Sequence, residues 1–511
     1  MTRHPASSPY VRHKHPELRR LYEPLSLLYV LREQIPERRP IAVINAGGVG
    51  GILQRRRDFL NALVELAAFK QGYDLAITAG YDHENVIIAV AGNQDVSDLV
   101  VPFLERLLGM VTSALHVGLN DETCNRELSN ISNYVMEWQN DNSFAVYHSI
   151  FDHIAPICIP VMATGTNDPK GMAMVSLWET FVSSNGMALL KTDMPALVHN
   201  CFSASQDGKF EIFQRFVCQS QRFVDMFEEF HRQLLNLAMP MEMCRLLLKS
   251  AISIRQDLHR EIKVYHVPPE ERMKIPLVRK KLNLDEIANR MFSERQRFKQ
   301  LRQGLERVVP APSRLIEQLK DYQENVYTQI HPELRLVDFF DKNSRVQYFD
   351  NYDRYIATSK PCCYLCNQYL SHRLNYHIRK CDPNHLDLHW RLPDIRAVEP
   401  STRFIEQKEI LRKITERIRR DVEKFVLDRC SESNDSSDDD TSQSFSLSTE
   451  TTTTWEEASY AEANECSHSY IFPSGTEGDK HPGPGRCDGM ENEDDKDTVV
   501  FKGRKAALSI P

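Results

Sequence analysis

The sequence predicts an α/β protein with a long, mostly helical middle and a disordered acidic tail. Three observations lead there. Apolar runs of strand length, such as Val86 to Ala91 and Tyr355 to Thr358, neighbour stretches with helical apolar spacing near both ends of the body. Residues 93–319 carry mostly helical spacing, and beyond residue 428 aliphatic side chains thin out while acidic ones gather. With 511 residues and 41% hydrophobic side chains, the chain is large enough for two or three domains with a packed core.

The elements follow in order. Residues 1–55 read as a helical and loop segment, with a helix over Leu21 to Leu31. Ile41 to Gly51 then superficially matches a dinucleotide fingerprint after a strand, with Asp82 where an acid would hold a ribose. Asn45 replaces the first glycine, and the run from Tyr73 to Ala79 turns at Asp82-His83-Glu84-Asn85 straight into another strand without a crossover helix. A Gly-rich connecting loop is the simpler reading. Arg56 to Lys70 has one apolar side made by Phe59, Leu60, Leu63, Val64, Ala67 and Ala68, and leads into that hairpin. Leu99 to Leu115, Phe210 to Leu237 and Met241 to Val264 have helical spacing, and no internal repeat stands out.

Two short strings carry the chemistry. His331-Pro332-Glu333 opens a helix: Pro332 suits the first turn, and Leu334, Leu336, Val337 and Phe340 build an apolar face behind it. Pro361-Cys362-Cys363-Tyr364-Leu365-Cys366 follows a strand at Tyr355 to Thr358 and opens a helix expected to run to about Arg373, with Cys363 and Cys366 in its first turn. One histidine and a Cys-x-x-Cys pair supply the three protein ligands of a catalytic zinc, leaving a fourth position for water. A helix N-terminus favours the thiolates such a metal needs. Glu333 is then the acid/base that moves protons from the activated water to a leaving amine, as hydrolytic deamination requires.

The same cysteines admit a second arrangement. Cys363, Cys366, His377 and Cys381 have the spacing of a closed C2HC zinc module, which needs neither His331 nor Glu333 and makes a non-enzymatic interaction module. Cys362, lacking the two-residue gap to Cys366, is assigned as a non-ligand. His372, His385 and His389 read as surface or supporting histidines. Leu388 and Trp390 alternate like a half-buried strand, and the helix bearing Ile405, Ile410, Leu411, Ile414, Ile418 and Val422 reads as a packing helix.

The order of an H-x-E helix, a strand and a P-C-x-x-C-like helix resembles the cytidine-deaminase-like superfamily. Tyr355-Ile356-Ala357-Thr358-Ser359-Lys360-Pro361-Cys362-Cys363-Tyr364-Leu365-Cys366, Leu388-His389-Trp390-Arg391-Leu392-Pro393 and the basic amphipathic helix from Thr402 to Leu427 more narrowly resemble the OTT-type deaminases expanded in fungi. The resemblance covers residues 320–428 and, more weakly, 56–92. It implies an α-β-α sandwich interrupted by a helical insertion over 93–319, with 56–92 and 320–428 forming one discontinuous domain and 429–511 a tail. It also implies zinc on His331, Cys363 and Cys366, a catalytic Glu333, and attack of water on C4 of a cytosine or C6 of an adenine in a nucleotide or nucleic acid. Pro332 stands where the family has a small residue, which fixes the backbone between ligand and acid/base. An inactive deaminase-like scaffold is the intermediate alternative.

Charge is unevenly placed. Residues 431–511 hold 18 acidic and 6 basic residues, leaving 57 basic against 53 acidic in 1–430, so the net −8 belongs to the tail. Ser436 and Ser437, followed by acids, suit an acid-directed kinase; finding both unphosphorylated by mass spectrometry of native protein would count against this. Basic runs at Arg279-Lys280-Lys281 and Arg295 to Arg307 are interleaved with acids and read as solvated faces. No stretch reaches eighteen uninterrupted apolar residues, Met1-Thr2-Arg3-His4-Pro5 lacks a secretory core, and the cysteines are scattered, so the expectation is an intracellular protein without a membrane partner.

Overall fold

The structure is a computed structural model that describes residues 16–34, 43–45, 47–68, 73–116, 121–164, 176, 179–182, 187–211, 224–274, 284–309, 311–395 and 402–434. The acidic tail from 435, the run at residues 279–281 and parts of the Gly-rich stretch lie outside these residues. At the centre is a hairpin of β-branched and small residues, β2 (Leu75–Tyr81) and β3 (Asn85–Gly92), paired in register from Leu75 opposite Gly92 to Tyr81 opposite Val86. Asp82 makes the turn tight: its carboxylate accepts the backbone N–H groups of Glu84 and Asn85 at 2.8 and 2.6 Å.

Both edges of that hairpin are extended by distant chain. On one side β8 (Arg354–Thr358) pairs antiparallel with β2, and β10 (Tyr376–Ile378) pairs parallel with β8. On the other, β4 (Glu261–His266) pairs parallel with β3, giving the order β10-β8-β2-β3-β4, with the short β7 (Gln347–Tyr348) against the far end of β2. Gly80 allows that last pairing, because a Cβ there would lie 2.1 Å from the Gln347 carbonyl oxygen.

Strand β4 corrects the sequence expectation of helix through Val264. Helix α7 (Val224–Ser253) stops short, and Glu261–His266, with Glu261 and Tyr265 exposed and the residues between them half-buried, completes a backbone ladder on the free edge of β3. Helical spacing and strand alternation share enough apolar positions here for the neighbouring edge to decide. Likewise Phe210 to Leu237 is not α-helical throughout: Lys209–Glu211 is a 3-10 turn, residues 212–223 lie outside the described set, and the described part of α7 covers Val224 onward.

The two faces of the sheet carry separate cores. Ile77, Ala79, Ile88 and Val90 face α2 (Gly51–Ala67), α3 (Val100–His116) and α7, where Phe59, Phe103 and Leu247 are buried. Ala76, Ala89, Ala91 and Ile356 face α11 (Pro332–Lys342) and, beyond it, α1 (Pro16–Gln34) and α13 (Thr402–Asn434). Each large apolar side chain fully removed from water contributes about 1.5–3 kcal/mol before entropy is counted. Alanines on the second face let α11 approach the sheet closely.

A further helical group has its own core. Helices α4 (Asp121–Ser149), α5 (Ala155–Thr164) and α6 (Met194–Gln206) gather with the first half of α7 around Tyr147, Phe181, Phe227 and Phe230. The Tyr147 hydroxyl donates to the Phe181 carbonyl at 2.8 Å and accepts Leu189 N–H at 2.7 Å. By length and composition the continuous stretch Asn125–Val161 is apolar enough to cross a membrane. Ile44–Asn45, the strand of the nucleotide-like stretch, pairs antiparallel with β11 (Lys380–Asp382) in a separate three-stranded sheet, so it does not start a parallel β-α-β unit. The basic stretch from Arg295 forms α9 (Arg295–Val308), with α8 (Leu284–Met291) before it. Arg297 pairs with Glu423, and Arg302 with Asp285 and Glu306.

Candidate metal centre

Two helices begin at the same place. His331 is the N-cap of α11, extended at φ −67°, ψ 153°, with Pro332 at the first helical position. Cys363 is the N-cap of α12 (Tyr364–Ser371), extended at φ −71°, ψ 160°. The sequence predicts Cys363 inside that helix and a helix end near Arg373. Instead Cys363 ends the short β9 (Cys362–Cys363), where its Sγ accepts the Cys366 N–H at 3.4 Å, and α12 ends at Ser371. The N-cap position aims the sulfur along the helix axis, where the backbone dipole favours thiolate.

His331, Cys363 and Cys366 bring their ligand atoms within 4.8 Å of one another, all three side chains buried. His331 Nδ1 lies 3.5 Å from each sulfur. A tetrahedral zinc with Zn–S of about 2.3 Å and Zn–N of about 2.0–2.1 Å has nitrogen-to-sulfur edges of about 3.6 Å, so the spacing and the donor set fit this metal. Glu333, in the first turn of α11, is buried outside the donor set, with Oε2 3.7 Å from Cys366 Sγ.

The buried groups of the cluster set one another's protonation. Burial pushes the Cys363 thiol up, but the hydrogen bonds from Cys366 and the charge of His331 outweigh it and hold Cys363 well below the usual thiol range. Burial, with the Cys363 charge added, holds Cys366 well above that range. Burial works against charge on His331 too, yet Cys363 on one side and Asp387 on the other raise its pKa well above the ordinary value. Burial raises Glu333, with Cys363 adding to the shift and His331 opposing it. A metal entering here would displace thiol and imidazole protons.

The residues of the closed-module alternative do not converge. His377, on β10, is nearly half exposed and lies 3.9 Å from Asp353. Cys381 stands opposite Cys362 in the β9–β11 pairing, and the two neighbouring thiols, with burial, hold Cys362 well above the usual thiol range. Among the described residues, His331, Cys363 and Cys366 form the one such cluster.

Two supporting residues were not singled out from sequence. Asp387 brings Oδ2 to 3.1 Å from His331 Nε2, off the axis of a linear hydrogen bond, and its Oδ1 accepts His389 N–H at 2.7 Å. Arg335, 2% exposed, donates through Nη1 to Val267 O at 3.0 Å and through Nη2 to Gly92 O, and burial pulls its pKa down to about 10. It fastens the Glu333 helix to the ends of β3 and β4. A carboxylate beside a ligand histidine is a general signal, but no fixed spacing marks it in sequence.

Residues 330–394, which contain every group of this cluster, match a family model described as "OTT_1508_deam:-like deaminase". Searches of curated proteins and of solved structures find no match.

Proposed function

We propose that this protein is a zinc-dependent hydrolytic deaminase acting on a cytosine- or adenine-type base in a nucleotide or nucleic acid, built on a cytidine-deaminase-like α-β-α sandwich. The observation that carries the reading is a buried carboxylate, Glu333, beside a His/Cys/Cys donor set of zinc dimensions inside the deaminase-like span. His331 Nδ1 and the sulfurs of Cys363 and Cys366 would hold the ion. A zinc there supplies a polarised water with a pKa near neutrality.

The protein's own groups handle the protons. Glu333 takes one from the attacking water, gives it to the ring nitrogen next to the amine-bearing carbon, and assists the departing amine. A carbon–oxygen bond forms and a carbon–nitrogen bond breaks, consuming one water and releasing one ammonia. Pro332 occupies a position that any helix tolerates while His331 still faces both sulfurs, which favours an active site over a disabled scaffold. The thiol ligands fit the reducing interior of a cell.

The test is zinc per chain for the purified full chain, for His331→Ala and for the His377→Ala/Cys381→Ala double variant, each checked for folding. Loss of zinc in the first alone, with ammonia released by wild type from cytidine, adenosine, their nucleotides or single-stranded oligonucleotides, is expected. Loss in the double variant alone would overturn the reading in favour of a closed module.

A further inference from the structure

We propose that Asp387 is the positioning residue for the His331 ring, holding it by Nε2 so that Nδ1 is the nitrogen offered to the metal. The inference rests on the metal-centre reading above and adds which ring nitrogen binds and what fixes that choice.

The ring has two nitrogens and two different neighbourhoods. Nδ1 is equidistant from the sulfurs of Cys363 and Cys366, 3.5 Å from each, and Nε2 is 3.1 Å from Asp387 Oδ2. The Nε2 contact is ionic and off the axis of a linear hydrogen bond, so the carboxylate acts through its charge: it favours the hydrogen on Nε2 and leaves Nδ1 free to face the thiols. A carboxylate behind a ligand histidine fixes tautomer and orientation and raises ligand basicity.

Asp387 is itself held. Its Oδ1 accepts the His389 N–H at 2.7 Å and lies 3.1 Å from His389 Nδ1. Leu388 and Trp390, 3% and 0% exposed, anchor the segment in the core. Strand β12 (Trp390–Arg391) pairs in parallel with β6 (Tyr327–Ile330), the strand that runs directly into His331. The Gln329 N–H also donates to His389 O at 2.5 Å. The carboxylate and the ring thus stand on one paired unit, and their separation is set by backbone ladder bonds.

A residue that only shapes the 387–389 turn predicts a different result from one that orients the ring. Asp387→Asn keeps an oxygen for the His389 N–H and removes the charge facing Nε2. Zinc dissociation constants of the folded full chain, measured by chelator competition, are expected to be 10–100-fold weaker in Asp387→Asn than in wild type. Nitrogen-15 spectra of histidine-labelled, zinc-loaded wild type are expected to show His331 protonated at Nε2. Wild-type affinity in Asp387→Asn, or a proton on Nδ1, overturns the proposal. If Asp387→Asn fails to fold, the wild-type spectrum decides alone. Full zinc retention in His331→Ala would instead overturn the underlying metal-centre reading, so the two failures are distinguishable.

Discussion

Arg57 and Asp353 form a buried two-pronged ion pair, Nε to Oδ2 at 3.0 Å and Nη2 to Oδ1 at 2.7 Å, across 296 residues of chain. It ties the second turn of α2 to the residue just before β8, with the Arg57 guanidinium also 4.8 Å from the centre of the Tyr355 ring. Removing one partner strands the other charge. Arg57→Ala is expected to cost about 3–5 kcal/mol, while a paired apolar replacement, Arg57→Met with Asp353→Leu, costs far less than the two single changes combined. Denaturant midpoints for the three variants check this.

Glu333 lies outside the donor set, so its loss should separate chemistry from metal binding. Glu333→Gln is expected to keep wild-type zinc content and to lower ammonia release about 10²–10⁴-fold. Elemental analysis and turnover on one preparation measure both.

Adjacent cysteines should behave differently. Cys363→Ser is expected to abolish stoichiometric zinc, because its sulfur faces His331, whereas Cys362→Ser is expected to retain it, because that thiol faces Cys381. Zinc per chain after exhaustive dialysis distinguishes them.

Asp257 offers a pH-dependent test remote from the metal centre. Burial would raise its pKa, but Arg56, donating at 2.8 and 2.9 Å, and the Tyr81 hydroxyl, donating at 2.7 Å, bring it below the usual value. A depressed folded-state pKa contributes stability that is present above the unfolded pKa of about 3.9 and is lost as pH falls through the folded value. Asp257→Asn is therefore expected to be about 1–3 kcal/mol less stable at pH 7, with the difference shrinking below about pH 4. Urea midpoints of both proteins across that range give the sign.

Gly80 has no room for a side chain. Gly80→Ala places a Cβ 2.1 Å from Gln347 O and 2.8 Å from Phe340 Cε1, and is expected to cost about 1–3 kcal/mol as β7 is forced away. Thermal unfolding, with hydrogen exchange at Tyr348, reads both effects.

The candidate site was legible where its logic is local. His331, Glu333, Cys363 and Cys366 sit in two strings whose spacing is set by single helix turns, and folding brings the donor atoms together. Asp387 was not legible: its relation to His331 depends on β12 lying beside β6, a pairing that neither string announces. The hairpin, α2 and β8 followed from apolar period, though α2 begins at Gly51, five residues earlier than the amphipathic stretch suggested. Strand β4 was hidden because its partner edge, β3, lies 176 residues away and six residues with scattered apolar positions resemble the end of a helix.

The pairing of β2 with β8 also has a timetable. The ribosome makes residue 92 long before residue 358, and at roughly 5–20 residues per second the edge of β2 waits about 15–50 s for its neighbour. Through that interval an apolar hairpin offers unpaired backbone groups to any other nascent chain. Production of this protein should therefore depend on chaperone supply and on translation speed between these two points more than on the stability of the finished fold.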